Sequence, residues 1–359
     1  MKTCFLVSKS DVGGATVYVH NLVKSINSKN NVIYYLYEGD STNQIDRLGP
    51  VLIKKSSIGF LNIFHVLISL RSFLVNNDFK SINVHSTEAS ILLRIAYLFS
   101  GKKIRIIYTV HGWGWRGYNI VKSSFIKFTE YVLFKFVRND YIFLYKNMIE
   151  ESAFLNLNKK KYNIITTGIS QEFLTKKLSK EFTFVFPARI DRSKNHFGAI
   201  KLLSKVKNLN IKLIFVGNGT DNPLFIDEVF NKCEEFGFNK NCVEFLGLQK
   251  KMLEVYKRSD MLILISYFEA LPLTIIEALT HGIPCIASDL GGVNDLIVNN
   301  FNGIIINKNF KTKDLETFIN KYTFDSYSYN KQRLKIYNDS KLRFSKDEML
   351  NKYSKFLNL

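Results

Sequence analysis

Met261-Leu262-Ile263-Leu264-Ile265-Ser266-Tyr267-Phe268-Glu269-Ala270-Leu271-Pro272-Leu273-Thr274-Ile275-Ile276-Glu277-Ala278 decides how this sequence folds. An apolar run of strand length is followed by a short turn and then by a helix-like segment that opens near Pro272. Proline suits a helix start, because its missing N–H would be unpaired there anyway. His281-Gly282-Ile283-Pro284 ends the helix, and the chain runs into a second apolar strand, Pro284 to Ala287. A strand, a helix and a strand of this kind form the repeating unit of a parallel sheet covered by helices.

The same alternation extends in both directions. Upstream and downstream in the second half, strands are expected at Phe182 to Phe186, Leu213 to Val216, Val243 to Leu246 and Gly303 to Ile306. The first half repeats the pattern at Cys4 to Val7, Val32 to Tyr37, Ser81 to Val84, Ile104 to Val110 and Tyr141 to Leu144. The fold class is therefore α/β, with two doubly wound sheets. At 359 residues the chain has room for two domains of roughly 150 residues each. The expected boundaries are a first domain over 1–172, a polar Lys-rich linker over 173–181 and a second domain over 182–340. A terminal helix over 341–359 packs back toward the first domain. Ser345-Lys346-Asp347-Glu348 has capping-box spacing ahead of that helix.

Composition narrows the function classes. Hydrophobic residues at 46% and charged residues at 23% suit a globular chain with a sizeable core and exclude disordered and fibrous classes. The net charge is +19, of which residues 1–180 carry +14. A basic half fits nucleic acid, an anionic membrane surface or a phosphorylated substrate. The four cysteines show no C-x-x-C spacing, as expected of reduced thiols in the cytoplasm. The N-terminal apolar run is too short for a signal peptide, and no stretch reaches the roughly 18 apolar residues of a spanning helix.

Ligands of doubly wound sheets bind beyond the carboxyl ends of the strands, so the chemistry is sought there. Asp11-Val12-Gly13-Gly14-Ala15-Thr16 occupies a phosphate-loop position, where glycines let backbone N–H groups approach an anion. It is also compatible with an ordinary turn, and it lacks the G-x-G-x-x-G spacing of a dinucleotide enzyme. His111-Gly112-Trp113-Gly114-Trp115 ends a strand with a histidine beside glycines and flat indoles, either a ligand-facing loop or a packed structural one. Arg189 and Lys194 follow the strand Phe182 to Phe186, and both can reach one anion, Arg as a planar fork and Lys as a mobile point charge. Gly217 and Gly219 form another strand-end turn. Glu269 stands with Ala270 and Leu271 at the helix mouth. Leu273 and Thr274 begin the helix, and Glu277, about two turns along, can take two vicinal hydroxyls. Two glutamates at this spacing are common by chance, and their context sets them apart.

Together these motifs resemble a family 4 retaining glycosyltransferase of the GT-B fold, in which two Rossmann-like domains face each other across a cleft. The match runs through Gly13-Gly14, Thr109-Val110-His111-Gly112, Arg189-x4-Lys194, Val216-Gly217-x-Gly219, Phe245-Leu246-Gly247, Glu269-x7-Glu277, and Gly282-x-Pro284 to Gly291-Gly292. The resemblance implies that Arg189 and Lys194 hold the donor diphosphate, Glu277 the ribose hydroxyls, and Glu269 with the following N–H groups the donor sugar. It also implies that His111 faces the sugar ring and that Gly13 and Gly14 approach the phosphates. Ala270 stands where the family often has Gly, Thr167-Gly168 where Asn-Gly is usual, and Asn294-Asp295 where Pro-Glu is common.

A nucleoside diphosphate leaving group needs either a divalent cation or fixed protein cations. No Asp-x-Asp occurs in the sequence, so Arg189 and Lys194 are expected to serve without a metal or other cofactor. The resemblance makes a UDP-sugar the favoured donor and a lipid-linked saccharide the expected acceptor, in capsule, exopolysaccharide or O-antigen synthesis. Two segments, Ile91 to Lys103 and Lys122 to Arg138, mix apolar bulk with cations. They fit peripheral attachment to an anionic membrane or, equally, core helices with wet lysine faces. A non-catalytic nucleotide-sugar-binding relative is the alternative. Nucleic-acid binding is disfavoured, since no recognition motif accompanies the charge.

Overall fold

A computed structural model describes residues 2–9, 15–16, 18–19, 22–23, 31–37, 51–53, 60–115, 118–177, 179–207, 209–322 and 325–357. The chain divides into two compact units, Met1–Thr167 with Asp347–Leu359, and Gly168–Lys346.

The first unit holds β1 (Lys2–Lys9), β2 (Asn31–Tyr37), β3 (Val51–Ile53), α1 (Phe60–Val75), β4 (Phe79–Val84), α2 (Thr87–Leu98), β5 (Arg105–Val110), α3 (Ile120–Phe136), β6 (Asp140–Phe143), α4 (Asn147–Glu151) and β7 (Tyr162–Ile164). All seven strands are parallel, in the order β3-β2-β1-β4-β5-β6-β7. The strand order reverses between β1 and β4. Five of these strands match the apolar runs; β3 and β7 extend the sheet at its two edges. Helix C-terminal to residue 345, Lys346–Leu357, belongs to this unit. Its buried Met349, Tyr353 and Leu357 recur at helical spacing, and the Tyr353 hydroxyl meets that of Tyr18 at 2.7 Å. Arg105 donates to the Phe356 carbonyl at 2.7 Å, satisfying an acceptor in the last helical turn.

The second unit holds β8 (Phe182–Pro187), α5 (His196–Leu203), β9 (Ile211–Val216), α6 (Pro223–Phe236), β10 (Val243–Phe245), α7 (Met252–Arg258), β11 (Met261–Leu264), α8 (Leu273–Leu279), β12 (Cys285–Ser288), α9 (Val293–Leu296), β13 (Gly303–Ile306), α10 (Thr312–Asn320) and α11 (Ser326–Arg343). The parallel order is β10-β9-β8-β11-β12-β13, reversing between β8 and β11. β8 and β11 are buried along their whole length, as central strands covered on both faces must be.

Residues 173–181, expected to be a linker, begin packed onto the second unit. Leu174 is buried, and Asn330 of α11 exchanges two hydrogen bonds with the Lys176 backbone. Lys176 Nζ reaches Asp260 at 2.5 Å, and Asp260 also accepts from the Thr183 backbone and the Tyr329 hydroxyl. A buried carboxylate with a cation and two further donors anchors the strap, which polarity alone disguised as a free connection.

Candidate active site

Lys194 and Glu269 leave the carboxyl ends of β8 and β11, the two strands at the reversal of strand order in the second sheet. That reversal is the place where adjacent crossovers diverge and leave a crevice. The Lys194 ammonium donates to Glu269 Oε1 at 2.8 Å. Ser266 Oγ donates to the same oxygen at 2.6 Å. Both donors converge on Oε1, so Oε2 is the oxygen that remains for a ligand. Glu269 is only 8% exposed, and the ammonium supplies the charge compensation a carboxylate in that position requires.

The loop carrying Arg189 and Lys194 is organised by Asp191. Its carboxylate accepts from both the backbone N–H and the hydroxyl of Ser193, at 2.8 and 2.7 Å, and from Arg189 at 3.2 Å. The Ser193 bonds, with Arg189 beside them, bring the Asp191 carboxyl down to about 2. Asn195 then turns through the left-handed region, at φ 54°, and caps α5 by accepting from Gly198 N. The Ser193 carbonyl accepts from Tyr267 N at 2.6 Å, which joins this loop to the one after β11. Arg189 itself is mostly solvent-exposed.

Two glycines let backbones approach at this end of the sheet. Gly217 has φ 146°, and a Cβ there would collide with the Ala188 carbonyl and Arg189 N. Gly291 has φ 53°, and a Cβ would collide with the carbonyl oxygens of Glu269 and Ala270. Gly292 N donates to the Ala270 carbonyl at 2.6 Å. The Ala270-Leu271 segment is thus braced from behind as it enters α8. Leu271 is buried, and Leu273 and Thr274, part-exposed, make the first turn.

Glu277 lies within α8. The Tyr256 hydroxyl donates to its Oε2 at 2.7 Å, leaving Oε1 for a further donor. Burial raises the Glu277 carboxyl above its ordinary value, and the Tyr256 bond opposes that rise. Tyr256 is itself buried and packs against His281, whose ring bonds the Glu172 carbonyl at 2.7 Å.

In the first unit, His111 follows β5 and is bonded through Nε2 to Nδ1 of His85, which follows β4, at 3.0 Å. Tyr18 meets the His111 ring edge-on at 4.9 Å. Burial lowers His111 to about 4 and holds His85 well below its ordinary value, so both rings are neutral near pH 7. The pair therefore shares a single N–H between the facing nitrogens, and Nδ1 is the His111 nitrogen left for other work. Trp113 and Trp115 stack on each other at 4.2 Å and are buried, so they pack the loop instead of presenting flat faces to solvent. Gly13 and Gly14 lie outside the described residues.

The structure thus brings Lys194 to Glu269 and places Arg189, Gly217 and Glu277 on loops and a helix of the same sheet. Ser266, Asp191, Tyr256 and His85 are polar partners that motif spacing did not single out. His85 carried a usable signal, since it ends a strand just as His111 does. Among the described residues no three His, Cys, Asp or Glu side chains gather to hold a metal ion.

Residues 170–341, within the second unit, match a family model described as glycosyl transferases group 1. Over 339 residues the chain is 26% identical to the O-antigen biosynthesis glycosyltransferase WbnH of Escherichia coli, covering 92% of this chain and 93% of that one. It is 27% identical over 281 residues to the E. coli UDP-Gal:alpha-D-GlcNAc-diphosphoundecaprenol alpha-1,3-galactosyltransferase, covering 74% and 70%. Among solved structures, Anabaena Alr3699/HepE in complex with UDP superposes with a TM-score of 0.83 at 16% identity, covering all of both chains. The two Rossmann-like units are those of the GT-B fold.

Proposed function

We propose, from a chain whose second unit matches a glycosyl transferases group 1 family model, that it moves a hexosyl group from a UDP-sugar to a lipid-linked saccharide during O-antigen or capsule assembly. The observation that carries this reading is the 2.8 Å pairing of Lys194 with Glu269 at the strand-order reversal. It puts a cation for a diphosphate next to a carboxylate for sugar hydroxyls, on the unit that matches the family. The relatives support the finer assignments. One is named for UDP-Gal and a diphosphoundecaprenol-linked sugar. Another, from Campylobacter jejuni and 30% identical over 173 residues, is named for transfer to a PP-undecaprenol-linked glycan.

In this reading Arg189 and Lys194 neutralise the charge that develops on the leaving diphosphate, with no metal ion required. Glu277 takes the ribose hydroxyls through Oε1 and the lone pair of Oε2 that Tyr256 does not use, and Glu269 Oε2 takes a hydroxyl of the transferred sugar. His111 contributes a neutral imidazole edge toward the sugar. The acceptor hydroxyl oxygen bonds to the anomeric carbon as the bond from that carbon to the diphosphate oxygen breaks. Its proton passes to the leaving phosphate on the same face, so configuration is retained.

The test is transfer from radiolabelled UDP-hexoses to undecaprenyl-diphosphate-linked saccharides, with chelator present. Wild type should form a lipid-extractable product and Lys194→Ala should form it at least ten times more slowly. Product formation that is unchanged in Lys194→Ala, or that requires added metal, overturns the assignment.

A further inference from the structure

The sheet of the first unit is covered on one side by α1, α2 and α3. α2 and α3 connect β4 to β5 and β5 to β6, and α1 leads from β3 across β2 and β1 to β4 in the same direction along the sheet, so right-handed crossovers place all three on one face. α2 packs against both neighbours. The solvent side of this layer is unusually apolar. Of the 22 exposed large hydrophobic side chains among the described residues, 13 fall between Ile63 and Phe136. A globular surface scatters such residues singly; a concentration of this kind marks a contact surface.

The rotation of α3 is fixed from inside. Arg94 of α2 and Glu130 of α3 form an ion pair at 2.5 Å with both side chains fully buried. Glu130 also accepts from the Tyr141 hydroxyl at 2.8 Å, and Arg94 reaches Asn139. With Glu130 and Leu133 pinned inward, the opposite face of α3 carries Val121, Phe125 and Phe128, at 75, 69 and 64% exposure. Ile63, Phe64 and Ile68 of α1 are exposed on the same layer, as is Phe99 just after α2.

The charge of α3 identifies what meets it. Glu130 is the only acid of the helix, and the internal pair consumes it. The exposed charges that remain are Lys122, Lys127 and Lys135, followed by Arg138. Lys122 lies 3.6 Å over the Tyr118 ring, and Lys127 and Lys135 lie 5.7 and 5.2 Å from the rings of Trp115 and Tyr131. Cations beside protruding apolar side chains match the interface of an anionic bilayer, with head-group phosphates meeting the ammonium groups and acyl chains meeting the apolar ones. A protein partner would have to be acidic and apolar together.

We propose that the outer face of α1, α2 and α3, centred on Phe125 and Phe128 and ringed by Lys122, Lys127 and Lys135, is a membrane-docking surface for anionic phospholipid. It rests on the proposed function only in that a lipid-linked acceptor gives the docking a purpose; its test reads out without any transfer reaction. No helix among the described residues is long and apolar enough to cross the membrane, so this contact is interfacial.

The experiment is co-sedimentation of the full chain with vesicles of phosphatidylglycerol and phosphatidylcholine in equal parts, against pure phosphatidylcholine, at low and high salt. Wild type should pellet with the anionic vesicles and little with the neutral ones. K122Q/K127Q/K135Q should weaken that partition by roughly a hundredfold at low salt. F125S/F128S should lose the fraction that survives high salt. These side chains are exposed, so circular dichroism and the melting temperature should match wild type. Failure of wild type to pellet with anionic vesicles, or variants that pellet as wild type does, overturns the proposal. A concentration-dependent dimer that F125S/F128S dissolves also overturns it, since a second copy would then cover the face.

Discussion

Lys194 and Glu269 are 75 residues apart in sequence and meet at 2.8 Å beyond the carboxyl ends of two adjacent strands. The contact is shared with Ser266, which donates to the same carboxylate oxygen. Removing the ammonium leaves a nearly buried carboxylate with a hydroxyl alone for compensation. Charge-assisted hydrogen bonds contribute about 1.5–3 kcal/mol, so Lys194→Ala should lower kcat/KM by roughly ten- to a hundredfold and also lower the melting temperature. Glu269→Gln keeps an acceptor for Ser266 but loses the ion pair, and its loss should lie mainly in turnover. Both are read from steady-state kinetics and thermal unfolding on the same preparations.

Arg189 offers a cleaner separation of binding from folding. Its side chain is 64% exposed and, among the described residues, pairs with the carboxylate of Asp191 alone, at 3.2 Å. Arg189→Ala should leave stability within about 0.5 kcal/mol, as surface changes do, while kcat/KM falls by roughly ten- to a hundredfold. Equal activity in the variant would remove Arg189 from the diphosphate site.

Tyr256 supports Glu277 from behind. The hydroxyl bond opposes the upward push of burial on the Glu277 carboxyl. In Tyr256→Phe that opposition is gone and the carboxyl rises further. Donor affinity should therefore weaken at neutral pH and begin to change with pH at a higher value than in wild type. Titration calorimetry across pH 5 to 8 tests this, and superimposable profiles would refute it.

Burial holds the rings of His85, His111 and His196 neutral. His111 and His196 titrate near 4 in the fold, and burial beside His111 holds His85 well below its ordinary value; in the unfolded chain each titrates near 6.5. Between those values the unfolded state binds more protons. Stability is then full above about pH 6.5 and falls as pH drops toward 4, by up to about 1.4 kcal/mol per pH unit for each histidine. Chemical denaturation at pH 7 and pH 5 should show the drop, and a smaller one in His85→Phe. Equal stability at both pH values would show that these rings are charged in the fold.

Much of this architecture was legible because a parallel sheet buried on both faces needs near-continuous apolar strands. All six strands of the second sheet and five of the first coincide with such runs, within a residue or two at their ends. β3 and β7 escaped because an edge strand of three residues, Val51–Ile53 or Tyr162–Ile164, carries too little pattern beside the lysines that flank it. Strand-end positions were legible too: Arg189, Lys194, Glu269 and His111 all stand on segments that follow strands. Their partners were not. Which loops meet depends on strand order, and no local spacing reports that Ser193 would bond Tyr267 or that His85 would face His111. The strap at 173–181 reads as a free connection for a related reason: Lys176 is polar in sequence and paired in space.

The most direct test of the donor site is thermal stabilisation of the purified chain by UDP-, GDP-, ADP- and dTDP-sugars without added metal, with Glu277→Ala alongside. A UDP-sugar held at Glu277 should raise the melting temperature, and the rise should vanish in Glu277→Ala. No rise with any donor, or a rise of equal size in the variant, would contradict it.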